Sequence, residues 1–365
     1  METYINDFFL FGLTNQKITS DAHEVGYNLS SSPLIYGKKA SIQEVTRRIK
    51  KIFDEENLVH FDGLSCDQKS LDQILNLAEK KRSSVNHMEA EEINNFFSAF
   101  QKYGGSLVSF NEIKKRSDLI IFLGDFEESQ IQRFLYKVGW NRTKIEKDIF
   151  LLGKKKNTII KNSFEFKEPL NLGGQILDFF KNASVPEKFK KLKKKINLSR
   201  YPVMIINSKN GLIFTDQLLK VFAFINNNLG KIRIFRFCGL NNSSGFVNSC
   251  ISKTGFPGSV SFTDWGVAYN PNDYDAKQQK KLKKTQIFFS NLNQDPKIEN
   301  FKKNIFIGHP NKKNKESFDI YIPVKTPGVD TEGIIVRSDG TGIMKLEKKI
   351  NSQYIEMRQL INQLI

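Results

Sequence analysis

The sequence predicts an α/β protein with mainly parallel sheets, on three observations. Strand-like and helix-like segments alternate along most of the chain, the pattern of βαβ units. Asp118-Leu-Ile-Ile-Phe-Leu-Gly124 is a continuously apolar run, as a sheet covered on both faces requires. The chain has 365 residues, 39% hydrophobic and 12% aromatic, enough for two domains with sizeable cores.

Residues 1–36 are the least regular and end in Ser30-Ser31-Ser32-Pro33. Ser41-Ile-Gln-Glu44 reads as a capping box, and Ile42, Val45, Ile49 and Phe53 then share one helical face. A strand is expected at Leu58–Phe61, broken by Asp62-Gly63. A helix follows over Ser70–Lys81, with Leu71, Ile74, Leu75 and Ala78 inward. Ser84-Val85 is a short strand, and a helix from Glu89 to Tyr103 stops at Gly104-Gly105. Further strands are expected at Asp118–Gly124, Lys147–Leu152, Tyr201–Ile206, Ile232–Phe237, Gln286–Ser290, Asn304–Ile307 and Asp319–Val324. Helices are expected at Gly173–Phe180, Gln217–Asn227 and Ser352–Ile365, and residues 187–200 form a strongly basic helix or linker. Glu332–Lys345 reads as a hairpin turning at Asp339-Gly340.

The net charge is +17, which would attract nucleic acid, an acidic membrane or a polyanionic ligand. Codon bias toward Lys, Asn, Ile and Phe explains it equally well. No secretory signal and no run long enough to span a bilayer is visible, and the three cysteines are too scattered for a disulfide framework. A cytoplasmic location is the expectation.

Several chemistries lack their residues. There is no CxxC pair, and His23, His60, His87 and His309 form no short ligand pair. Neither a GxSxG elbow nor a P-loop occurs. Gly239-Leu-Asn-Asn-Ser-Ser-Gly245 follows an expected strand and could face a phosphate, but a plain strand-to-helix turn accounts for it better. Cys66, at an expected helix start, is either a nucleophile or a small half-buried residue, and the second reading is favoured. His87 either lines a cleft at strand ends or is a structural histidine, again with the second favoured.

Three stretches carry a resemblance. Thr254-Gly-Phe-Pro-Gly-Ser-Val-Ser-Phe-Thr-Asp-Trp-Gly-Val-Ala-Tyr-Asn-Pro271 is similar to a stretch found in the B-subunit family of formylmethanofuran dehydrogenase. Tyr321-Ile-Pro-Val-Lys-Thr-Pro-Gly-Val-Asp-Thr-Glu-Gly333 with Arg337-Ser-Asp-Gly340 resembles a second. Gly63-Leu-Ser-Cys-Asp67, Leu77-Ala78, Val85-Asn-His-Met88 and Arg116-Ser-Asp118 through Gly124 fall in the family's order. The resemblance spans about residues 37–350 and is closest to the B-type member of the bacterial formyltransferase/hydrolase complex.

The resemblance implies two Rossmann-like domains with mainly parallel sheets, as in the central domains of molybdopterin oxidoreductases of the formate dehydrogenase/DMSO reductase type. It places an N-terminal segment at 1–36, a discontinuous first domain at 37–125 and 283–365, and an inserted domain at 126–282. Lys277–Lys284 would be the return linker. Archaeal members hold a pterin-bound metal and an iron–sulfur cluster through cysteines near the N-terminus and after the equivalent of Val85–Met88. Here residues 1–36 and 89–95 contain no cysteine. The expected cofactors in this chain are therefore none, with molybdopterin and iron–sulfur ligands missing.

The implied function is that of a non-catalytic structural subunit, without an active site of its own. Its complex would move formyl from tetrahydromethanopterin to a methanofuran analogue and release formate. Partners would be the A, C and D subunits. Lys188–Lys195 and Lys277–Lys284 are candidate contacts for the analogue's polyglutamate tail, against the plainer reading of a solvated lysine face. No nucleic-acid or membrane partner is expected. Gly255, Pro257, Gly258, Asp264, Pro327, Gly328, Asp330, Gly333, Arg337, Asp339 and Gly340 are the candidate structural or partner-contact loops. They either face a partner or fill the cleft a pterin would take. Two rivals stand beside this reading. One is a redox-active dehydrogenase subunit with an unusual pterin site. The other is a basic nucleic-acid-binding protein, though no RNP, zinc-finger or helix-turn-helix signature supports it.

Overall fold

A computed structural model of the chain describes residues 27–56, 58–141, 144–153, 158–165, 187–208 and 215–365. It divides into two compact units, Met1–Ala90 with Gly239–Ile365, and Glu91–Cys238.

The first arm of unit one begins with β1 (Leu34–Ile35) and β2 (Lys38–Lys39), a hairpin turning at Tyr36-Gly37. Both turn residues have positive φ, 47° and 74°, which matches the twist of paired strands. Helix α1 (Ile42–Glu55) starts at the expected capping box: Glu44 N–H donates to Ser41 Oγ at 3.2 Å, and Ser41 N–H to Glu44 Oε2 at 2.7 Å. β3 (His60–Ser65), α2 (Gln68–Lys80) and β4 (Ser84–Val85) complete this arm.

Unit two runs α3 (Ala90–Tyr103), α4 (Phe110–Arg116), β5 (Leu119–Leu123), α5 (Glu128–Lys137), β6 (Asp148–Gly153) and β7 (Ser163–Glu165). It continues with α6 (Glu187–Leu198), β8 (Pro202–Ile206), α7 (Thr215–Phe224) and β9 (Arg233–Arg236). The return arm of unit one adds α8 (Ser243–Thr254), β10 (Val260–Thr263), β11 (Gly266–Tyr269), α9 (Ala276–Leu282), β12 (Thr285–Ser290) and β13 (Lys303–Gly308). It ends with β14 (Ile320–Pro323), the antiparallel pair β15 (Gly333–Val336) and β16 (Ile343–Leu346), and α10 (Met357–Leu364).

The sheet of unit one has the order β11-β10-β4-β3-β12-β13-β14-β1-β2. Its middle, from β4 to β14, is parallel, and the strands at both edges pair antiparallel. The sheet of unit two, β7-β6-β5-β8-β9, is parallel throughout. The expectation of an α/β fold with mainly parallel sheets is met. Unit two buries β5 among Phe150, Leu152, Met204 and Ile206, with Phe96 and Phe222 against them. Continuous apolar strands do this where no face meets water.

The expected domain joins at 125/126 and 282/283 give way to borders at 90/91 and 238/239. β5 was expected in the first domain, yet it is the central strand of the unit-two sheet, paired with β6 and β8. β10 pairs with β4 and so belongs to unit one, as does α9, which stands where a linker was expected. Sheet pairing decides membership here, and one-dimensional periodicity does not report it. The expected helix at Gly173–Phe180 lies outside the described residues.

β3 also passes through the predicted break. Gly63 and Leu64 take positive φ, 83° and 46°, and the register against β12 shifts there, so the strand bulges and continues to Ser65. A Cβ on Gly63 would stand 2.5 Å from the Phe288 ring and 2.7 Å from the Phe289 carbonyl oxygen. Gly63→Ala should therefore destabilise the fold by about 2–4 kcal/mol, from left-handed strain plus overpacking. A shift of the urea midpoint with unchanged slope would measure it.

At the amino end of the same strands, Ser84 gathers a buried polar group. Its hydroxyl donates to Gln279 Oε1 at 2.9 Å and accepts from Lys283 Nζ at 2.6 Å, and His60 Nδ1 lies 2.8 Å away. Burial lowers the Lys283 ammonium to about 8 and the His60 ring to about 3. A lysine depressed in the folded state is protonated more readily once unfolded. Between about pH 8 and 10.5 the unfolded chain binds the extra proton, so stability rises with pH across that window. Lys283→Met should flatten this rise, by roughly 3 kcal/mol at most, in denaturation midpoints taken from pH 7 to 10.5.

Candidate functional site

In unit one the chain leaves β3 toward β4 on one side and β12 toward β13 on the other. β3 and β12 are neighbours, so the strand order reverses between them, and a crevice opens at their carboxyl ends. Ser65-Cys66-Asp67 leaves one strand and Asn291-Leu292 the other. The two are tied by the amides of Asn291 and Leu292, both donating to the Ser65 carbonyl at 3.0 Å.

The turn Gly239–Asn242 closes one side of the crevice. Gly239, Asn241 and Asn242 all have positive φ, which glycine and asparagine tolerate best. The Asn242 amide donates to the Cys66 carbonyl at 2.8 Å, and its oxygen accepts from Val336 N–H at 2.9 Å. Asn241 Nδ2 donates to Glu89 Oε1 at 2.8 Å, and Asn241 Oδ1 accepts from Asn293 Nδ2 at 3.1 Å. Because His87 Nδ1 accepts from Glu89 N–H at 3.0 Å, its Nε2 carries the proton and donates to the Asn241 carbonyl at 3.2 Å. The His87 ring stacks on Phe246 at 5.0 Å. Side-chain amides therefore fill the place weighed as a phosphate-facing turn, and His87 is a bonded, structural histidine.

The thiols do not fit the redox groups that the resemblance raises. Cys66, Cys238 and Cys250 are all buried. Burial pushes the Cys66 thiol far up and Cys250 up to about 12, so neither is a ready thiolate. A cluster of four iron atoms takes four thiolates, and the chain has three cysteines. Among the described residues no three His, Cys, Asp or Glu side chains converge on a metal position.

The candidate loop residues fall into two groups. Gly255 caps α8 with φ 81°, and Pro257 and Gly258 lead into β10. Asp264, at the β10–β11 turn, pairs with Arg82 at 2.5 Å beside Trp265, which is 98% exposed. The second group stands at the crevice. Pro327 and Gly328 turn toward Asp330, whose buried carboxylate accepts from Thr326 N–H at 2.6 Å, Tyr27 hydroxyl at 2.9 Å and Ser352 hydroxyl at 2.5 Å. A Cβ on Gly333 would reach 2.7 Å from Pro327 and 3.1 Å from Asp67, so only glycine fits. Arg337 grips Asp339 through two bonds of 2.8 and 2.7 Å, ordering a 337–342 turn that includes Gly340 and is longer than the expected two residues.

Beside Asp330 and Gly333 lies a cleft of about 300 Å³. Asp67 and Asn291 reach it from the ends of β3 and β12, and Lys69, Lys325, Lys348 and Arg358 stand among its lining cations. Asn241 and Asn242 lie in the turn singled out in the sequence and Asp67 ends the Gly63–Asp67 motif, whereas Asn291 was not singled out. A glycine followed by paired asparagines is a local signal for the turn; nothing local marks Asn291.

No protein-family model matches the chain, and no curated protein matches it by sequence. Solved structures do match. A chain of the formyltransferase/hydrolase complex from Methylorubrum extorquens, determined with methylofuran, is similar with a TM-score of 0.77 at 15% identity. The match covers 91% of this chain and 97% of that one. Acetylene hydratase from Pelobacter acetylenicus is similar with a TM-score of 0.52 at 10% identity, over 96% of this chain and 63% of that enzyme. The class defined is thus an α/β chain similar in fold to a chain of the formyltransferase/hydrolase complex. At these identities the likeness is one of fold. No described helix is long and apolar enough to cross a membrane.

Proposed function

We propose that this chain is the B-type component of a formyltransferase/hydrolase complex, a scaffold that binds partner subunits and carries no redox centre. The supporting observation is the near end-to-end fold match, 91% of one chain and 97% of the other. Motif order in the sequence points the same way, and both units are read as Rossmann-like. One side of the crevice is closed by the hydrogen-bonded Asn241, Asn242, His87 and Glu89 network. Partners would be the A, C and D subunits, in the cytoplasm. Tagging the chain in its native cell and purifying under mild salt should recover three further subunits at fixed ratio. Recovery of the chain by itself would refute the assignment.

The polyglutamate tail of a methanofuran analogue would meet the exposed Lys190, Lys191, Lys193 and Lys194 of α6. Changing all four to Gln should weaken retention of the analogue by the purified complex at low salt and reduce its salt dependence. Unchanged retention would assign these lysines to solvation only.

A further inference from the structure

We propose that the cleft at the β3/β12 crevice binds a small oxyanion that carries a hydroxyl hydrogen, such as hydrogen phosphate or a phosphate ester whose carbon chain bears a hydroxyl. This stands whether or not the chain is a scaffold. The position is where parallel sheets bind ligands, outside the carboxyl ends of two strands at a reversal of order. A volume of about 300 Å³ holds roughly ten waters, which suits a small metabolite and is at the lower end of ligand pockets.

The lining carries five cations against four carboxylates, a small cationic excess. Lys69, Lys325, Lys345, Lys348 and Arg358 line the cleft. Its four carboxylates are already engaged. Asp67 accepts from Ser70 hydroxyl at 2.5 Å, and Asp330 holds three donors. Glu332 pairs with Lys345 at 3.6 Å, and Glu356 pairs with Arg358 at 2.8 Å and Lys325 at 3.8 Å. Lys69 and Lys348 form no ion pair among the described residues, so two cations remain for a ligand.

Asn291 supplies the independent observation. It is 1% exposed and its Nδ2 donates to the Lys325 carbonyl at 3.3 Å. Its Oδ1 has no hydrogen-bond donor among the described residues. A buried acceptor left without a donor costs about 1–3 kcal/mol, so this atom calls for an O–H or N–H from whatever fills the cleft. Within a cation-lined site it also selects. Hydrogen phosphate offers a hydroxyl to Asn291 while its other oxygens face Lys69 and Lys348. Sulfate, of the same shape and charge, has no proton at neutral pH and sets lone pair against lone pair. Sites built around such a hydrogen bond reject the analogue that lacks it.

The test is calorimetric titration of the full chain at pH 7 and constant ionic strength with inorganic phosphate, sulfate and glycerol 3-phosphate. Phosphate or glycerol 3-phosphate should bind saturably, and sulfate at least about tenfold more weakly. Tighter binding of inorganic phosphate identifies the free ion as the ligand, and tighter binding of the ester identifies a phosphorylated metabolite. Asn291→Leu should bring the phosphate-to-sulfate ratio to about one. Lys69→Ala, at an exposed position that leaves the core intact, should weaken phosphate and ester alike. Sulfate binding as tightly as phosphate would overturn the proposal, as would no saturable heat from either phosphate probe.

Discussion

Asp330→Ala should lower the stability of unit one by about 3–5 kcal/mol, among the largest effects any single change in this unit can have. The carboxylate is fully buried and accepts from Thr326 N–H, the Tyr27 hydroxyl and the Ser352 hydroxyl. Alanine would leave three donors in the interior without their acceptor. The effect should spread to the segment before β1, because Tyr27 packs its ring edge-on against His309 at 5.6 Å and Tyr354 at 6.3 Å. Burial also raises the Tyr27 hydroxyl far above the usual tyrosine range, so it stays a donor at any working pH. Asp330→Asn keeps shape and one acceptor oxygen, and should lose about half as much. Urea denaturation of both variants beside Tyr27→Phe would separate the carboxylate's contribution from that of a single bond. Equal stability of Asp330→Ala and the parent would contradict the reading of Asp330 as the node joining these segments.

The second large effect lies in unit two. Arg236 is nearly buried, stacks on Phe97 at 5.0 Å and Phe96 at 5.7 Å, and stands 3.9 Å from Glu92. Burial lowers the guanidinium to about 10, countered by Glu92, so it remains charged at neutral pH. Glu92→Ala removes the carboxylate that faces this charge and should destabilise unit two, by at most about 3–5 kcal/mol. The double variant Glu92→Met with Arg236→Met removes both charges and keeps apolar contact with Phe96 and Phe97. It should recover most of the loss. A double-mutant cycle in guanidinium chloride measures the difference, and a double variant less stable than Glu92→Ala would show that the guanidinium does more than balance Glu92.

Local signals in the sequence carried the elements they govern. The Ser41/Glu44 box, the apolar run at Leu119–Leu123 and the stop at Gly104 all depend on neighbouring residues, and each stands where expected. Capping chemistry was also present but unread at Ser109/Glu112, where α4 begins. What periodicity could not convey was partnership across the chain. β10 joins β4 from 175 residues away, Val260 opposite Val85, and that pairing moves the border between the units. The β3 bulge was missed because Asp62-Gly63 reads as a turn in isolation. Only the neighbouring Phe288 and Phe289 explain why the strand continues. At the site, Asp67, Asp330 and Gly333 stand in the motifs quoted from the sequence, while Asn291 arrives through topology, at the end of a strand that neighbours β3 only in the folded sheet.

The scaffold reading proposes a chain without a metal centre of its own, beside a fold match and three cysteines that are all buried. Its most direct test is elemental analysis of the assembly purified from the native cell. The account predicts molybdenum, tungsten and iron well below one atom per copy of this chain, in a colourless preparation of constant composition. A stoichiometric heavy metal assigned to this chain, or a pterin released from it on denaturation, would contradict it.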